Sequence, residues 1–109
     1  MDGGIRTSWR AAIVLGEGER VIHGRARRVG RSVVTVGTEH SLRPGHRCTL
    51  ALILPRGTPG AAGQVVEGKA EVVVSVLSGM QFDITVKWLE MDDYCRRLLD
   101  EQLQGMEVR

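Results

Sequence analysis

The stretch HRCTLALILP, residues 46–55, decides the fold. Cys48, Leu50, Leu52 and Leu54 fall on one side of it, and Arg47, Thr49, Ala51 and Ile53 on the other. A period of two is the strand period, and the more apolar side marks the face that meets a core. Pro55 has no amide hydrogen to give a ladder, so the strand ends there. RGTPGAAGQ (56–64) follows, rich in breakers, and reads as a hairpin tip or crossing loop.

The same reading extends in both directions. VVEGKAEVVVSVL (65–77) is a long β-branched strand with a bend expected at Gly68, and Ser78-Gly79 is a hairpin turn. MQFDITVKWL (80–89) alternates again, with Met80, Phe82, Ile84, Val86 and Trp88 on one face. Towards the N-terminus, RAAIVL (10–15), RVIHGRARRV (20–29) and RSVVTV (31–36) are strands. The turn GEGE (16–19), a bend at Gly30 and the loop GTEHSLRPG (37–45) punctuate them. Residues 1–8 read as a flexible lead-in.

Past residue 89 the period changes. Met91, Tyr94, Cys95, Leu98, Leu99 and Leu103 form one apolar stripe of a helix over 90–104, with Asp92 and Asp93 in its first turn. The stripe is expected to cover the strands, with pairing to a partner as the alternative. The expectation is therefore a mainly all-β domain over 9–104, with six strands and one C-terminal helix. Many short strands joined by Gly and Pro turns fit either a barrel or a sandwich.

Composition narrows the function. The 109 residues suit one domain, and the net charge of +2 is weaker than duplex-binding domains usually carry. No apolar run approaches a membrane span, and MDGGIRTSWR has no signal-peptide core, so a cytoplasmic location is expected. Cys48 and Cys95 then read as reduced, buried thiols. His23, His40 and His46 lack metal-ligand spacing, no nucleophile motif occurs, and GEGE carries acids where a phosphate loop needs donors. These features argue against an enzyme.

The arginines are the distinctive feature. Arg6 and Arg10 precede the first apolar run, and Arg25, Arg27, Arg28 and Arg31 cluster after the second. Guanidinium forks pair with phosphate oxygens, bind the O6/N7 edge of guanine and stack on ring planes. Single-stranded nucleic acid would need exposed aromatic platforms as well, and only Trp9 lies near these arginines.

LRPGHRCTLALILP (42–55), VEGKAEVVVSVLSGMQFDITVKWLEM (66–91) and a terminal helix, in that order, resemble the PilZ domain over about residues 6–103. The resemblance implies a six-stranded antiparallel β-barrel with a helix at its end. It also implies binding of cyclic di-GMP, as a monomer or a stacked dimer, through two motifs. Arg6-Thr7-Ser8-Trp9-Arg10 matches the first, R-x-x-x-R. The second, [D/N]-x-S-x-x-G, is absent: Arg28, Gly30 and Val33 stand at its three defining positions. Arginine has only donors, so Arg28 cannot accept from the donor edge of guanine.

The resemblance thus implies a bacterial regulatory module that holds the dianionic ligand with Arg6, Arg10, Arg25, Arg27, Arg28, Arg31 and Trp9. It would relay the ligand to a protein partner, as a monomer or homodimer. The alternative is a PilZ-fold adaptor without ligand, of the type IV pilus or motility kind, working by protein contact.

Overall fold

The computed structural model describes residues 4–55 and 64–107. Six strands appear in chain order: β1 (Ile5–Leu15), β2 (Arg20–Val29), β3 (Val33–Thr38), β4 (Arg47–Ile53), β5 (Val65–Ser78) and β6 (Gln81–Met91). One helix, α1 (Asp93–Glu107), follows. The strands close a barrel in the order β1-β2-β3-β6-β5-β4, every neighbour antiparallel. Closure leaves the sheet without two long free edges, and it resolves the choice between barrel and sandwich.

The interior is filled as the alternation requires. Cys48, Leu50, Leu52 and Leu54 all point inward and are buried. Ile13 from β1, Val34 and Val36 from β3, Val66 and Val72 from β5, and Ile84 and Val86 from β6 complete the core. Side chains of this size fill a barrel of few strands without leaving a channel.

Two interior glycines permit close backbone approach. A Cβ on Gly68 would lie 2.6 Å from the carbonyl oxygen of Glu90, and one on Gly24 would collide with the carbonyl oxygen of Gly37. The expected bend at Gly68 is met by a register shift in the β5–β6 pairing between Lys69 and Ala70.

Several expected boundaries move. β1 begins at Ile5, so residues 5–8 of the expected lead-in are strand. Ile5 and Arg6 pair with Val29 and Arg28, which supplies the ladder bonds a free terminus would lack. β3 starts at Val33 because Arg31 and Ser32 lie within a tight turn closed by the Gly30 amide donating to the Val33 carbonyl, at 2.9 Å. The part of the expected loop at residues 56–63 lies outside the described residues. Met80, expected to face the core, occupies the β5–β6 turn and is 97 % exposed.

The helix starts at Asp93 and ends at Glu107, later than the expected 90–104, because residues 90 and 91 still pair with β5, so Met91 closes β6 and does not open the helix stripe. Cys95, Leu99 and Leu103 are buried, and α1 packs against β5 and β1. Of the stripe residues within α1, Tyr94 is turned outward: it is 60 % exposed, and its hydroxyl donates to Gln64 Oε1 at 3.1 Å. Asp92 is the N-cap and not a first-turn residue, since its Oδ1 accepts from the Cys95 amide at 2.7 Å. Asp92→Ala is expected to cost about 1 kcal/mol, read as a lowered urea midpoint with unchanged slope. An unchanged midpoint would mean that the cap does not hold the helix start.

Both cysteines are free and buried. Burial pushes the Cys48 thiol from 9.0 up to about 11, and raises the Cys95 thiol too. The folded chain therefore holds the Cys48 proton that the unfolded chain releases between these values. Stability is expected to fall as pH rises through that window. Cys48→Ala should flatten this part of the profile, measured by urea unfolding at pH 8 and about pH 10.

Candidate functional site

β1 lies between β2 and β4, and its alternation sends Arg6, Ser8 and Arg10 to the outer surface. Trp9 faces the other way and is 6 % exposed. Its ring belongs to the core, so the expectation of a ring near the ligand reduces to a sliver of surface. The Thr7 hydroxyl donates to the Ala26 carbonyl, which ties β1 to β2 at a register irregularity between Arg6 and Trp9.

The register opposes like charges. Arg6 lies opposite Arg28, and Arg10 opposite Arg25, all four exposed. Directly opposed like charges destabilise a sheet. Elsewhere the barrel matches its charges: Arg47 and Lys87 reach Glu71 at 3.8 and 3.6 Å, and Lys69 reaches Glu90 at 4.0 Å. Among the described strands, the β1–β2 pair thus sets like charges opposite one another where these pairs on β4, β5 and β6 set opposite ones.

The six arginines do not form one cluster. Arg27 and Arg28 are consecutive exposed residues at a bulge of β2 against β3. The bulge turns Arg27 across Gly37 towards β6, where it donates to Gln81 Oε1 at 3.0 Å and pairs with Asp83 at 3.3 Å. Arg31 pairs with Asp100 of α1 at 3.2 Å. These two arginines are committed to acids. Arg25 keeps its charge on the outer face and donates through Nη1 to the Ser8 carbonyl at 3.1 Å. Along β1, Arg6 and Arg10 are four residues apart, about 13 Å at strand rise. Arg6 with Arg28 therefore lies near the β2–β3 turn, and Arg10 with Arg25 lies farther along.

Two depressions flank Arg10 and Arg25. One, of about 470 Å³, is lined by both arginines with Ser8, Trp9, Leu54 and Pro55. The other, of about 630 Å³, lies over β2, β1 and β4, where the outward residues Ala12 and Ala51 keep the surface low. Sequence reasoning missed this second depression. Ala12 and Ala51, small residues at outward positions of their strands, were the available signal.

No cluster of three or more potential metal ligands occurs among the described residues. No described helix is long and apolar enough to cross a membrane.

No protein-family model matches the sequence, and no curated protein matches it. Solved structures do. The Bacillus subtilis inhibitor of motility MotI/DgrA superposes with a TM-score of 0.80 at 14 % identity, over 95 % of this chain and 48 % of that one. The PilZ domain of Escherichia coli YcgR, solved with cyclic di-GMP, gives 0.68 at 11 % identity, over 98 % and 88 %. A Xanthomonas campestris protein described as a tetrameric PilZ domain self-assembled through a helical bundle gives 0.57 at 15 %, over 82 % and 44 %. The chain spans about half the length of the first and third of these. The fold is that of a PilZ domain, as the resemblance implied.

Proposed function

We propose that this PilZ-fold domain is a bacterial, cytoplasmic regulatory module without catalysis, which binds cyclic di-GMP on its arginine-bearing β1–β2 face and relays the ligand to a protein partner. The observation that carries the reading is the opposition of Arg6 to Arg28 and of Arg10 to Arg25. A dianion placed over such a face would convert repulsion into charge-assisted hydrogen bonds. The ligand would also fasten the start of β1 to β2, because it bridges arginines of both strands. That gives a partner a changed surface potential and a stiffer edge to detect. One structural neighbour is a PilZ domain solved with cyclic di-GMP, which supports the ligand class.

The test is a calorimetric titration with cyclic di-GMP at two salt concentrations. Micromolar or tighter binding that weakens with salt is expected, since exposed cationic sites are screened. No heat up to millimolar ligand would remove the sensor reading.

A second reading, the adaptor that works by protein contact alone, has its own observation. The β5–β6 hairpin exposes Val73, Val74, Val76, Leu77 and Met80, and Leu77 is 64 % exposed. Contiguous exposed apolar patches mark contact surfaces. Under this reading Leu77→Asp with Met80→Asp abolishes partner capture and leaves the melting temperature unchanged. Retained capture by the doubly substituted protein would discard it.

A further inference from the structure

The two arginine pairs are not equivalent, because depressions flank the second. Around it the outer surface is laid out in rows that run across the strands. Arg10 faces Arg25 on β2, and on its other side the row continues to Ile53 on β4 and Val65 on β5, both exposed. The next row holds His23, Ala12 and Ala51, and Glu67 follows Ala51 across the β4–β5 pair. Ala12 and Ala51 are the smallest side chains that could stand there. The floor is low where its neighbours are long, and the depression of about 630 Å³ is the result.

We infer that this saddle on the β2–β1–β4 face is the seat of a nucleotide's planar base, with Arg10 and Arg25 as the clamp for its phosphate. The inference rests on the nucleotide reading above and locates the ligand within it. Three features agree. The volume is within the range of small-molecule sites, and the lining is apolar with few polar groups. Ile53 and Val65 wall the depression with apolar surface beside the floor, which suits the face of a ring. The saddle is electrically polarised, with the Arg10 and Arg25 guanidinium groups in the row beside the floor and the Glu67 carboxylate beyond Ala51 at the far end of the floor row. An anionic substituent is therefore turned towards Arg10 and Arg25. The Arg6–Arg28 pair lines neither depression beside Arg10 and Arg25, so it serves as outlying positive charge.

The experiment compares wild-type protein with Ala51→Leu, Arg25→Ala and Arg6→Ala, titrated with cyclic di-GMP, GTP and inorganic pyrophosphate. Ala51→Leu fills the floor and leaves the clamp intact. It is expected to weaken both nucleotides at least about tenfold, a change of about 1.4 kcal/mol, and to leave pyrophosphate unaffected. Arg25→Ala is expected to weaken all three probes, and Arg6→Ala to change each by less than about threefold, as a screened outlying charge would. Nucleotide binding unaltered by Ala51→Leu but lost in Arg6→Ala would overturn the saddle and leave the sensor reading standing. Wild-type protein that binds neither nucleotide would overturn both. If Ala51→Leu fails to fold, amide shifts of the wild-type protein on adding cyclic di-GMP decide the matter. Shifts centred on Ala12, Gly24 and Ala51 support the saddle, and shifts centred on residues 28–33 overturn it.

Discussion

Arg25→Glu is expected to raise the stability of the domain and abolish the proposed anion binding together. Glutamate at this position faces Arg10 across the β1–β2 pair. Replacing a like-charge opposition by an opposite-charge pair stabilises a sheet by roughly 0.2–1 kcal/mol. The bond from Arg25 to the Ser8 carbonyl is lost, but it is exposed and its net contribution is small. Binding moves the other way. A charge-assisted contact of about 1.5–3 kcal/mol disappears, and a carboxylate now confronts the phosphate. The expected loss in affinity is about 100-fold or more. Opposite signs for stability and binding are the mark of a position held for function at a cost to the fold. Thermal unfolding and calorimetry on the same preparation measure both. A fall in melting temperature would show that Arg25 serves the barrel instead.

Leu50→Ala carries the largest expected effect on folding, about 2–5 kcal/mol, the range for emptying a closed core site. Leu50 is fully buried on β4, opposite Ile13 of β1 and Gly68 of β5. Gly68 has no side chain to fill the void, and the nearby Glu90 carbonyl prevents a larger residue from standing in its place. The melting temperature should fall by about 10 °C or more for a domain of this size. Ala51→Leu, one residue away on the outer face, should spare most of that stability. A loss below about 1 kcal/mol for Leu50→Ala would mean that the barrel relaxes around the site.

Exposed charge clusters serve the same arginines differently depending on which strand receives them. Arg27 and Arg28 are neighbours in sequence, yet the bulge sends Arg27 to the acid of β6 and leaves Arg28 opposite Arg6. Arg31, three residues further, belongs to the helix through Asp100. The absence of the [D/N]-x-S-x-x-G residues at Arg28, Gly30 and Val33 thus coincides with a β2–β3 turn whose adjoining arginine is held by an acid from α1. Base recognition at that turn lacks its acceptor, which favours a ligand seat farther along β1.

The strands, their inward faces and the helix stripe were legible in the sequence because they are local. The alternation of Cys48, Leu50, Leu52 and Leu54 and the stripe of Cys95, Leu99 and Leu103 depend only on backbone periodicity and on which side chains avoid water. The turn at Gly79 depends on one residue that accepts a positive φ, 64° here. Strand partners and register are not local. That β1 closes on β4, that Arg10 meets Arg25, and that Ala12 and Ala51 share a floor follow from how strands distant in sequence align. A shift of one residue would have turned the same side chains to the other face. The sequence alone determined a six-stranded domain with a helix and a supply of arginines. Only the closed barrel decided which arginines stand opposite one another and that Arg27 and Arg31 meet the acids of β6 and α1, because the energy of a charge depends on its neighbours in space.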